Sequence, residues 1–319
     1  MAARNDRLNL YCSAHARHCV EMATAFQQTT GIGVDITHLD PIDALERIRT
    51  ETSTPRGDVW WGGSYLVHLE AASQGLTQEY EPQRLWQLHG WAVTAVRRSN
   101  YRAFPVHAIP QRFAINVAEF SPPRRAPSCW EDLIGSSLDG RVDVRWPSET
   151  LVALAAITPL SALIGETRAV EIILRHQNNL TAPSAVSGGR RRTKLGPQVS
   201  LMLDDAYEPG VNRGIWRVVT PCEGTSFTMS AVSIVRGTYN FTGAEAWLDW
   251  TLSAEGQAIS RKADPVLVPS HRSVPVPAEE IDRADLFLSG QPFGEAIGDA
   301  GQARLKTRLQ SVPDPRLGK

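Results

Sequence analysis

Between Leu8 and Gln74 the sequence alternates short apolar runs with amphipathic segments, and this alternation constrains the fold more than any other feature. Residues 8–12 have strand character. Ser13 is placed to cap a helix over about residues 14–29, with Val20, Ala23, Phe26 and Gln27 expected on one buried face and Gly31 ending it. Residues 33–37 read as the next strand. Residues 41–52 read as the next helix, with Leu45 and Ile48 turned inward. A third strand, 58–61, leads through Gly62-Gly63-Ser64 into a helix ending near Gln74. A β-α-β-α-β-α order predicts an α/β architecture with a parallel sheet, because each crossover helix must return the chain to the same edge.

The pattern then changes. Residues 89–96 and 107–117 read as strands with no long helix between them, as expected where a chain crosses from one lobe to another. A Pro-rich loop opens a short helix at Trp130-Glu-Asp-Leu133. Residue 141 begins another strand, and Ser148-Glu-Thr150 caps an apolar helix reaching Ile164. An amphipathic helix over 166–178, strands at 199–203 and 216–220, and a long strand at 227–235 follow. Residues 243–260 read as one helix. At 319 residues the chain is long for a single core. The expected division is one lobe of residues 8–103 with 231–275 and a second of 104–230 with 276–319.

A net charge of −1 gives no global field for nucleic acid or anionic membrane, so no nucleic-acid partner is expected. The run Arg190-Arg-Arg-Thr-Lys194 is local and reads as a solvated loop. No apolar stretch has the ~18–20 residues needed to span a bilayer. The first residues lack the apolar core of a secretory leader. Cys12, Cys19, Cys129 and Cys222 show no zinc-type spacing. Two readings of them stand: four small buried apolar residues, or a Cys12–Cys19 bond between a strand end and the following helix.

Several segments form an ordered series of motifs. Leu10-Tyr-Cys-Ser-Ala-His15 and Ala25-Phe-Gln-Gln-Thr-Thr-Gly31 come first, at the opening strand and the end of the helix after it. Asp58-Val-Trp-Trp-Gly-Gly-Ser64, Gln74-Gly-Leu76 and Tyr80 follow, then Trp130-Glu-Asp-Leu133. Pro221-Cys-Glu-Gly-Thr225, Asn240 and Ala246-Trp-Leu-Asp-Trp-Thr-Leu-Ser-Ala-Glu-Gly-Gln257 complete the series. In this order and spacing, over about residues 8–275, the chain resembles the bacterial extracellular solute-binding proteins of the ferric-ion-binding, phosphosugar and phosphonate group. The resemblance implies a two-lobed type II periplasmic binding fold with crossing hinge strands and a ligand cleft. It also implies an ABC permease in the inner membrane as partner and a periplasmic location, with the leader absent from this sequence. A monomer without cofactor is expected.

For the ligand, loops at the carboxyl ends of parallel strands and the helix N-termini behind them are the expected surface. Ser13 with His15, Gly63 with Ser64, and Ser148 with Thr150 occupy such loops, and Ser184 with Ser187 lies in a Ser/Gly loop able to form an N–H nest. These groups favour an anion. Asp204, Asp205 and Glu223 would then accept hydroxyl or ammonium donors from the body of a polar ligand. The alternative cargo is ferric iron, held by His15, Asp205 and Tyr207. Iron-binding relatives use two adjacent tyrosines where this chain has Leu203-Asp-Asp-Ala-Tyr207, which weakens that reading. No nucleophile elbow, P-loop, GxGxxG turn or HExxH is present, so no catalysis is expected.

Overall fold

The computed structural model of the chain describes residues 7–120, 126–139, 141–145, 150–176, 180–181, 199–202, 216–276, 304–305 and 307–308. The chain divides into two compact units, Met1–Ile109 with Met229–Asp282 and Leu288–Pro292, and Pro110–Thr228 with Arg283–Phe287 and Phe293–Lys319.

In the first unit the chain runs β1 (Arg7–Cys12), α1 (Ala16–Thr30), β2 (Gly33–His38), α2 (Pro41–Thr50), β3 (Val59–Ser64), α3 (Tyr65–Ser73), α4 (Gly90–Arg98) and β4 (Phe104–Pro110). The second unit contains β5 (Arg112–Asn116), β6 (Val142–Arg145), α5 (Thr150–Ile164), α6 (Glu166–Arg175), β7 (Leu180–Thr181), β8 (Val199–Met202) and β9 (Trp216–Val219). Strand β10 (Phe227–Ile234) brings the chain back to the first unit, which ends with α7 (Phe241–Leu252), α8 (Ala254–Ala263) and β11 (Val268–Pro269).

The first sheet has the order β11-β4-β10-β3-β1-β2, with β1 parallel to both β2 and β3 and with β10 antiparallel to β3. Leu10, Cys12, Val59 and Trp61 share a face and form one core with Met22, Phe26 and Trp247. Phe26 and Trp61 both meet the Trp247 ring edge-on. The second sheet has the order β7-β6-β8-β5-β9, and its core joins Phe113, Trp130, Ile157, Leu160, Ile172 and Leu201.

Several local expectations are corrected. Residues 89–96 are not a strand but most of α4, because Ala92, Ala95 and Val96 fall on one helical face and Arg97 and Arg98 complement the helix end. Val20 is 56% exposed, and the buried face of α1 is His18, Cys19, Met22, Ala23 and Phe26. The expected helix over 243–260 is two helices. Ser253 is extended, donates to Trp250 O (2.6 Å) and accepts from Gly256 N–H (3.1 Å), so it ends α7 and caps α8. The cysteines form two bonds, Cys12–Cys19 and Cys129–Cys222, rather than four small apolar fillers. No helix among the described residues is long and apolar enough to cross a membrane.

Candidate functional site

The parallel β1, β2 and β3 end on one edge of the first sheet, and each leads directly into a helix. Their loops are tied together. Ser13 N–H donates to Trp61 O (2.9 Å), Leu39 N–H to Cys12 O (3.0 Å), and His38 Nε2 lies 2.7 Å from Ala14 O. A carbonyl only accepts, so His38 carries its proton on Nε2. The Cys12–Cys19 bond closes the first loop against α1.

The Gly62-Gly63 pair has a physical necessity. Between the pairs Trp61–Val232 and Ser64–Ser230, β3 contains one residue more than β10, which is a β-bulge. Gly62 (φ +86°) and Gly63 (φ +77°) both adopt left-handed backbone there. A Cβ on Gly62 would lie 2.7 Å from Ala14 N, and one on Gly63 would lie 3.2 Å from Ser13 Cβ and 3.0 Å from Pro41 Cγ. Glycine therefore lets the three loops touch.

The predicted residues divide as follows. Ser64 caps α3, its Oγ accepting from Leu66 N–H (3.3 Å). Ser13 does not cap α1. His15 is the N-cap residue, and Ser13 Oγ instead accepts from Trp60 Nε1 (2.9 Å). An indole N–H only donates, so this bond leaves the Ser13 hydroxyl hydrogen available to an acceptor. His15 is exposed, Ser13, Gly63 and Ser64 half-buried. No acidic residue occupies the first turn of α1, whose N-terminus thus keeps its positive field. Ser13, His15, Gly63 and Ser64 are brought together on one edge.

In the second unit Glu223 has a structural task. Its carboxylate accepts from the backbone N–H groups of Trp130 (2.8 Å) and Glu131 (3.0 Å), closing the turn at Glu131–Ile134, while Trp130 Nε1 donates to Gly224 O (3.2 Å). Cys129, Cys222 and Glu223 cluster, but both sulfurs are in the disulfide and supply no thiolate. Thr150 opens α5. Ser148, Ser184, Ser187, Asp204, Asp205 and Tyr207 lie outside the described residues.

Sequence reasoning missed Trp60 and His68. His68 is fully buried on α3, with Nε2 2.9 Å from Gly62 O and Nδ1 2.8 Å from Ser233 Oγ, and its ring stacks on Trp60 at 3.7 Å and 15°. Burial pushes its pKa down to about 4, so the imidazole is neutral at ordinary pH. His18, which meets Trp61 edge-on, is likewise pushed down to about 4 by burial, with Ser260 Oγ as its partner at 2.8 Å. Only the Gly62-Gly63-Ser64 run carried a local signal. The partners of His68 and Trp60 are distant in sequence.

A family model for bacterial extracellular solute-binding proteins matches residues 67–288. An uncharacterised protein of Haemophilus influenzae is 26% identical over 267 residues, covering 82% of this chain and 77% of that protein. Among solved structures, the periplasmic binding protein AfuA of Actinobacillus pleuropneumoniae, with exogenous fructose-6-phosphate bound, is similar with a TM-score of 0.78 and 23% identity, covering 98% of this chain and 99% of AfuA. The periplasmic binding protein P5PA (TM-score 0.77, 18% identity, 96% and 99% covered) and iron-bound HitA of Pseudomonas aeruginosa (TM-score 0.72, 18% identity, 96% and 99% covered) are also similar. These likenesses give the fold as the two-lobed type II periplasmic binding fold.

Proposed function

The chain belongs to the bacterial extracellular solute-binding proteins, and from that premise we propose that it captures a small polar anion, of the phosphorylated-sugar or phosphonate class, for an ABC importer. The observation that carries this reading is the strand-end rim of the first unit. There the Ser13 hydroxyl, oriented by Trp60, lies beside the N-termini of α1 and α3 with no acid in either first turn. Helix ends and hydroxyls bind anions through charge-assisted bonds of about 1.5–3 kcal/mol each. Ser148, Thr150 and Ser187 would add donors. Asp204 and Asp205 would set specificity by accepting hydroxyl or ammonium donors from the ligand, whereas Glu223, expected in the same role, is already paired with the Trp130 and Glu131 N–H groups.

The similar AfuA holds fructose-6-phosphate, which supports a phosphosugar; the similar HitA holds iron. The ferric reading would need His15, Asp205 and Tyr207, without the tyrosine pair of iron-binding relatives. The protein works as a periplasmic monomer that delivers its ligand to an inner-membrane permease and turns nothing over. Calorimetric titration with fructose 6-phosphate, inorganic phosphate and ferric citrate tests the proposal. One-to-one saturation by a phosphate compound without product supports it. Saturation by ferric citrate alone refutes it.

A further inference from the structure

We propose that His68 is a positioning residue for the anion-binding rim, holding the Ser13 loop and the Gly62-Gly63-Ser64 bulge in one arrangement. The inference rests on the reading of that rim as the ligand surface, but its structural half is tested separately.

A fully buried imidazole is an expensive way to fill space, since an apolar side chain would pack there without the cost of burying two ring nitrogens. Both nitrogens are used. Gly62 O can only accept, so Nε2 carries the proton and donates to it, and Nδ1 accepts from the Ser233 hydroxyl on β10. The tautomer is thereby set from both sides. The bulge turns Gly62 into left-handed backbone, and His68 gives its carbonyl an N–H partner. The flat face of the same ring lies on Trp60, and Trp60 Nε1 holds Ser13 Oγ. One side chain therefore braces both loops, the bulge by a hydrogen bond and the Ser13 loop through the indole.

Two substitutions separate this role from simple packing. His68→Gln keeps an N–H long enough to reach Gly62 O. His68→Asn is shorter and reaches only toward Ser233. Both lose the ring, so both should lower thermal stability similarly. The readouts are amide hydrogen exchange over residues 14–17 and 63–66 of the ligand-free protein, and affinity for fructose 6-phosphate. With His68→Asn, exchange in both segments should rise and affinity fall by about tenfold, the change expected when one hydrogen bond of ~1.4 kcal/mol is lost. With His68→Gln exchange over residues 63–66 should stay within about threefold of the parent, while exchange over residues 14–17 rises as in His68→Asn, because both lose the stack on Trp60. Trp60→Phe, which keeps a ring for the stack and loses the bond to Ser13, should speed exchange over residues 14–17 only. If Asn and Gln act alike in both segments, or if Trp60→Phe leaves residues 14–17 unchanged, His68 is not a positioning residue. If the parent does not bind fructose 6-phosphate, the ligand reading fails and the exchange result alone decides the positioning role. Should His68→Asn fail to fold, Trp60→Phe and His68→Gln carry the same test.

Discussion

Two glycines of nearly equal φ allow the contact between the rim loops to be measured. Gly31 (φ +78°) ends α1 and would place a Cβ in open space, whereas Gly62 (φ +86°) would place one 2.7 Å from Ala14 N and 3.0 Å from Ala14 Cβ. Both alanine substitutions carry the left-handed backbone penalty of roughly 1–2 kcal/mol, offset in part by the stiffer unfolded chain. Gly62→Ala adds a backbone clash that only movement of the Ser13 loop relieves, and overpacking of this kind costs about 1–3 kcal/mol. The expected losses are therefore about 1 kcal/mol for Gly31→Ala and about 2–4 kcal/mol for Gly62→Ala. Urea unfolding followed by tryptophan fluorescence reads both, since Trp60, Trp61 and Trp247 are buried in the first unit. Gly62→Ala should also weaken binding of fructose 6-phosphate, and Gly31→Ala should not. Equal stability losses for the two variants would refute the claim that the bulge and the Ser13 loop are in contact.

Acidification gives a second expectation. His68 and His18 are depressed to about 4 from an ordinary 6.5, so between those values the unfolded chain binds more protons than the folded one. Stability should be fully present above pH 6.5 and decline as pH falls toward 4, by roughly 3 kcal/mol for each of these histidines at ~1.4 kcal/mol per pH unit. Urea midpoints across that range check it, and a slope unchanged in His68→Gln would count against a buried neutral His68. Replacing Cys12 and Cys19 by Ser should cost about 2.5 kcal/mol for so short a loop, and Cys129 with Cys222 about 4–5 kcal/mol for the longer one. Calorimetric melting with and without reductant measures both, and a larger loss for the shorter loop would contradict the loop-length reasoning. Glu223→Ala strands the N–H groups of Trp130 and Glu131 and should cost about 1–3 kcal/mol. A melting temperature indistinguishable from the parent would show that those groups do not depend on the carboxylate.

Much of the first unit was readable because its strands and helices are punctuated locally. Gly31 does end α1 with left-handed backbone, Leu45 and Ile48 are buried on α2, and Gly62-Gly63-Ser64 does lead from strand into helix. The errors have a common cause. Residues 89–96 satisfy both periods over a short run, and only packing of Ala92, Ala95 and Val96 selects the helix. Ser253 interrupts a helical pattern whose apolar residues continue on both sides. In the site, glycines and serines at strand ends advertise themselves, but the groups that orient them do not. His68 depends on Ser233 across 165 residues, and the Cys129–Cys222 bond spans 93, so neither pairing has any local trace.

The central claim is that this receptor carries a small phosphate-bearing anion, and native mass spectrometry with elemental analysis of protein released from the periplasm tests it most directly. The expected result is one bound small molecule per chain, containing phosphorus, lost on unfolding and regained on adding it back. A coloured protein that carries iron and is bleached by a chelator would contradict it.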